Sequence, residues 1–115
     1  MSGLSGFAYL KSRWYYIGVN PAESTVVYSD RQEHPPQGGW ELVEIAMLAN
    51  GRYTVRFVDA NVWLSQQPDG RFETRPVVEG EAPGDFEQFA GGILDDGPAK
   101  GLAILGPFVV EEQAA

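Results

Sequence analysis

Two stretches of this 115-residue chain read almost alike. Trp40-Glu41-Leu42-Val43 returns 46 residues later as Phe86-Glu87-Gln88-Phe89, and Tyr16-Ile17-Gly18 returns 47 residues later as Trp63-Leu64-Ser65. Each aromatic-Glu pair follows a turn-forming stretch, Gln37-Gly38-Gly39 in one case and Pro83-Gly84-Asp85 in the other. A repeat of this period marks one supersecondary unit used more than once, each copy burying its apolar face against its neighbours. The first copy spans about residues 7–50 and the second about 51–92, which leaves a partial third copy at about 93–115. At this length the copies are expected to share a single domain, 1–115, with one modest core.

The pattern inside each copy points to strands. Fourteen glycines and eight prolines break the chain into short runs. Ala8-Tyr9-Leu10 and Trp14 to Val19 are aromatic-rich, Ser24 to Ser29 is β-branched, and Tyr53, Val55 and Phe57 alternate with Thr54, Arg56 and Val58. The run Leu42 to Ala49 has a composition open to helix. Its repeat counterpart, Phe86 to Gly92, would make a very poor helix, and Asn50-Gly51 reads as a hairpin turn, so strand is the expectation for both. Asn61 to Gln67 and Arg71 to Val78 form a further hairpin around Pro68-Asp69-Gly70. Each full copy thus holds four strands, with Phe86 to Ala90 as the last of copy two. The partial copy offers one hairpin, Leu102 to Leu105 and Phe108 to Val110.

Charge narrows the partners. The net charge is −8, and it sits in one half. Residues 1–57 carry five basic and five acidic side chains, and residues 58–115 carry three basic against eleven acidic. Phosphate backbones and anionic membranes need clustered Lys and Arg, which are missing, so neither nucleic acid nor membrane is an expected partner. Cysteine is absent, which excludes disulfides and thiolate chemistry. The first residues, Met1 to Gly6, lack the basic and apolar regions of a signal peptide, so synthesis in a cytoplasm is expected.

A four-strand unit of this size, with a Val62-Trp63-Leu64-Ser65 strand, a weaker match at Tyr15-Tyr16-Ile17-Gly18, and Trp40-Glu41-Leu42-Val43 and Phe86-Glu87-Gln88-Phe89 strands, resembles the fascin-like branch of the β-trefoil family. The segment Val27-Tyr28-Ser29-Asp30-Arg31 stands where that family has its third strand. The resemblance covers about 85 of the 115 residues. It implies an all-β, β-trefoil-like barrel of four-strand repeats, here with a shortened third repeat that keeps its barrel strands and loses its cap. It also implies a non-catalytic role, in protein assembly or in carbohydrate recognition.

Residues with chemistry of their own are few. Trp40, Phe86, Trp63 and Tyr16 occupy repeat positions and are expected in the core. Trp14 and Tyr15 are not demanded by the repeat, and with Arg13 they form a candidate ligand platform. His34, the one histidine, has no nucleophile or orienting partner in its sequence context, so no catalytic residue is assigned. Glu79, Glu81 and Asp85 share one loop and are weak calcium candidates, although their spacing is not that of an EF-hand. No cofactor is expected. Glu41 and Glu87 are expected to hydrogen-bond turn backbone. The trimmed third copy leaves a surface that another chain would cover, which makes Leu102, Ile104, Phe108 and Val110 candidate interface residues. The leading expectation is a binding or structural module that assembles with other protein chains, as in a phage particle or tail. Two alternatives stand beside it: a lectin-like module using Trp14 and Tyr15, and an acidic inhibitor that imitates nucleic acid with Glu79, Glu81, Asp95 and Asp96 on one face.

Overall fold

The computed structural model describes residues 5–12, 15–30, 39–93 and 103–112. Among them the fold is all-β, with ten strands: β1 (Gly6–Ser12), β2 (Tyr15–Gly18), β3 (Tyr28–Asp30), β4 (Leu42–Met47), β5 (Tyr53–Phe57), β6 (Val62–Gln66), β7 (Phe72–Pro76), β8 (Gly91–Ile93), β9 (Ala103–Leu105) and β10 (Phe108–Glu112). The run that was open to helix is strand β4, in register with β5 across the Asn50-Gly51 turn. Gly51 holds a positive φ of 84° there, a conformation that costs glycine nothing.

All pairings are antiparallel, and the strands follow the order β7-β6-β5-β4-β1-β10-β9-β8, with β2 on β1 and β3 on β2. This sheet is not closed into a barrel, which corrects the barrel expectation. Where closure would fall, the chain ahead of β8 meets β5 through one bridge, Tyr53 to Phe89, with backbone hydrogen bonds of 2.9 and 2.8 Å. The expected strand Phe86 to Ala90 does not form. Asp85–Glu87 is instead a short 3-10 turn, because Glu87 folds its carboxylate back onto the Gly84 N–H. Likewise Ser24 to Val27 is irregular: Asn20 caps a 3-10 turn at Pro21–Glu23, and the strand begins only at Tyr28.

The connections differ between copies in one decisive way. Between β1 and β4 the chain makes a hairpin excursion, β2–β3, and between β5 and the bridge at Phe89 it makes another, β6–β7. Between β9 and β10 there is only the turn Gly106-Pro107. Strands β9 and β10 are therefore a tight hairpin whose second strand pairs with β1 over four register positions.

One core holds these strands together. Leu10, Val43, Ile45, Val55, Phe57, Leu64 and Leu105 are fully buried, drawn from β1, β4, β5, β6 and β9, and Ile17, Phe89, Phe108 and Val110 join them. The alternation in β5 turns Tyr53, Val55 and Phe57 inward. Arg56 faces outward and pairs with Glu44 on β4 at 2.9 Å, directly across the ladder.

Candidate functional site

The repeated aromatic-Glu pairs are built the opposite way round from the expectation. Trp40 is 45% exposed and Phe86 48%, whereas Glu41 and Glu87 are buried. Trp63 is half-buried, and of the four repeat aromatics only Tyr16 is a core residue. Glu87 is inside because it finds enough donors to offset the loss of water. Glu87 accepts from the Gly84 N–H at 2.9 Å, from the Ser65 hydroxyl at 2.7 Å and from the Arg75 guanidinium at 3.1 Å. Contact with Glu81 and Glu87 raises the pKa of Arg75 above its ordinary value. Glu41 accepts from the Tyr28 hydroxyl. The expectation of a bond to turn backbone thus holds at Glu87, and at Glu41 the described donor is a side chain.

The repeat also explains Gly18, which stands where copy two has Ser65. A Cβ on Gly18 would fall 2.6 Å from the Tyr28 hydroxyl oxygen and 3.1 Å from a Glu41 carboxylate oxygen. Tyr28 thus reaches into the space that the Ser65 side chain occupies in the other copy, and it supplies the hydroxyl in its place. Both glutamates tie a hairpin excursion to the sheet, and this accounts for them without chemistry.

One concave feature lies between the two excursions. The β2–β3 and β6–β7 hairpins touch where the Thr74 hydroxyl donates to the Ser24 carbonyl at 2.5 Å. A groove of about 390 Å³ opens between them. Val27, Tyr28 and Ser29 line it from the first hairpin, with Arg71 and Phe72 from the second. Its floor is Ile17 and Phe108, both core residues, and Ser12 at the end of β1 completes the lining. Phe72 lies against Phe108 with ring centroids 5.0 Å apart. Phe108 is the first residue after the Gly106-Pro107 turn, so β2 and β10 together supply the floor.

At the rim, Arg71 is exposed and pairs with Asp69 at 2.6 Å and Glu73 at 3.6 Å. The Arg71 N–H and guanidinium together hold the Asp69 carboxyl below its ordinary pKa. These exposed pairs contribute little to stability. Their effect is to leave the apolar floor as the dominant chemistry of the groove, with two serines and one guanidinium around it.

The residues singled out from sequence fall as follows. Arg13, Trp14, His34, Asp95, Asp96 and Leu102 lie outside the described residues. Tyr15 is half-buried at the start of β2 and pairs with Ser12, which lines the groove. Phe108 and Val110 are buried in the chain's own core, and Ile104 is half-buried. Phe108 and Val110 therefore pack within their own chain's core, and Phe108 also lines the groove. Glu81 is held by Arg75 at 2.7 Å, and no three potential ligands converge on a metal position among the described residues. Val27, Ser29, Arg71 and Phe72 were not marked as site residues in the sequence. Each reads there as an ordinary strand or turn residue, and only the approach of two hairpins 44 positions apart makes them neighbours.

No helix among the described residues is long and apolar enough to cross a membrane. No known protein-family model matches the chain, and no curated protein is similar to it.

Proposed function

We propose that this chain is a non-catalytic binding module that takes an extended aliphatic segment of a partner protein into the groove between its two hairpins. The observation that carries the reading is the missing third excursion. Two copies each send out a hairpin, the third replaces it with Gly106-Pro107, and the next residue, Phe108, lines the groove together with Ile17. We read the architecture as trefoil-like with one cap trimmed away, and the groove as the space beside that gap. Packing of β10 on β1 supports a module that folds by itself and binds through one face. Apolar lining with a few polar groups at the rim suits side chains of a peptide better than a sugar ring, which asks for many hydrogen bonds.

A displayed library of random peptides, selected on the purified chain, tests this. Enrichment of aliphatic sequences is expected, and Ser29→Trp, which fills the groove from its exposed wall, abolishes their binding while the circular dichroism spectrum is kept. Peptides that bind the variant as well as the parent, or a library that yields none, would overturn the assignment. A carbohydrate reading retains one supporting observation, the exposed Trp40 ring set edge-on to Tyr28 at 6.5 Å.

A further inference from the structure

The chain has three asparagines, and the residue after each one governs what its carboxamide can do. Asn20 precedes Pro21, which has no N–H to act as a nucleophile. Asn61 precedes Val62, a buried β-branched residue whose side chain crowds its own nitrogen. Asn50 precedes Gly51, and nothing lies within 4 Å of the place where a Cβ on Gly51 would be. Asn50 is exposed at the β4–β5 turn, and its Oδ1 accepts from the Arg52 N–H at 2.9 Å. That bond sets the carboxamide alongside the backbone that follows it. Its Nδ2 donates to Gln88 Oε1 at 2.9 Å, one residue before the bridge between Phe89 and Tyr53.

We propose that Asn50-Gly51 is a self-modification site placed on the seam between β5 and the end of the second copy. The Gly51 backbone nitrogen attacks Asn50 Cγ. A C–N bond forms, the bond from Cγ to Nδ2 breaks, and ammonia leaves carrying the proton given up by the Gly51 nitrogen. Water then adds to one of the two carbonyls of the resulting five-membered succinimide and reopens it, to aspartate or to isoaspartate. No oxidant or reductant is involved. The Arg52 N–H already sits on the oxygen where negative charge develops during the attack, which is the placement that stabilises such an intermediate. Opposing it, the Gly51 N–H is held by the Leu48 carbonyl at 3.0 Å, so the attack proceeds from turns that have opened locally. Asp69-Gly70 has the same pairing, but Arg71 keeps the Asp69 carboxyl ionised, and a carboxylate is a poor electrophile.

The consequence reaches beyond the turn. Either product lacks the Nδ2 donor to Gln88, and isoaspartate also inserts a methylene into the backbone of the turn. Both loosen the segment that carries the single described bridge between β5 and the chain ahead of β8.

The test uses the purified full chain, aged folded at mildly alkaline pH and, in parallel, in urea. Peptide mapping by mass spectrometry is expected to find exchange of NH₂ for OH in the folded sample at Asn50, with Asn20 and Asn61 unchanged. Methyl transfer by an isoaspartyl methyltransferase is expected to report the isoaspartate fraction, and Asn50→Ser is expected to remove both signals. Hydrogen exchange at the Phe89 amide is expected to quicken about five-fold in the aged parent, the scale of one lost hydrogen bond, and to stay unchanged in aged Asn50→Ser. Modification confined to the urea sample, or equal at Asn61, would overturn the site. Unchanged exchange at Phe89 in a fully modified sample would overturn its coupling to the seam.

Discussion

Glu87 and its neighbour Phe86 show how little residue type alone says about burial. Phe86 is the apolar member and stands 48% exposed, and Glu87 is charged and stands 3% exposed. The reason is partner supply: the Gly84 N–H, the Ser65 hydroxyl and the Arg75 guanidinium converge on one carboxylate, and nothing comparable encloses the ring. Removing the carboxylate strands a buried hydroxyl and a turn N–H, so Glu87→Ala is expected to cost about 3 kcal/mol in urea unfolding. Phe86→Ala is expected to cost under about 1 kcal/mol in the same measurement, since its ring is half in water already. Equal losses for the two variants would show that the ring anchors this turn as much as the carboxylate does. The repeat made Glu87 visible in the sequence, but its burial depends on Arg75 and Ser65, which lie 12 and 22 positions away.

Elements in this fold are set by turns as much as by strands. The β6–β7 turn uses Gly70 at φ 92°, with open space around the position of a Cβ, and the β9–β10 turn uses Gly106 at φ 55°, with the Phe89 ring 3.3 Å from that position. Both glycines avoid the left-handed penalty that a side chain incurs. Gly70→Ala is expected to cost about 1 kcal/mol from backbone strain alone. Gly106→Ala is expected to cost about 2 kcal/mol, because the new methyl also pushes on Phe89 beside the bridge to Tyr53. Thermal unfolding of the two variants side by side checks the order, and a larger loss at Gly70 would mean that Phe89 yields freely. Period-2 alternation and the turn residues made β5, β6, β7 and the β9–β10 hairpin legible in advance. They misplaced the chain at Phe86 to Ala90 and at Ser24 to Val27, because local capping by Glu87 and Asn20 competes with strand pairing there.

At the scale of the molecule, strands far apart in sequence are tied together by the Tyr16 hydroxyl, which donates to Glu111 across 95 positions. This bond joins the first hairpin to β10, and the β10–β1 ladder runs alongside it, with Glu111 opposite Tyr9. Burial, reinforced by the hydrogen bond to Glu111 and by its negative charge, raises the pKa of Tyr16 well above the ordinary 10.0. The folded chain therefore keeps a proton that the unfolded chain releases at alkaline pH. This contribution is whole below about pH 10 and is lost as pH climbs beyond it. Denaturation midpoints measured from neutral to strongly alkaline pH are expected to fall above that point. Tyr16→Phe is expected to begin less stable and to lack this part of the alkaline loss, and a parallel decline in both proteins would place the titration elsewhere.

From the residues alone came the all-β class and most strand positions, since hydrophobic period and turn chemistry are local properties of a chain. The tertiary structure decided which members of each copy go inside, that the sheet is not closed into a barrel, and that β10 serves its own chain. It also decided that two hairpins and Phe108 meet around a groove. Those outcomes depend on contacts between residues tens of positions apart, where hydrogen-bond partners and packing space are shared out only once the strands have found one another.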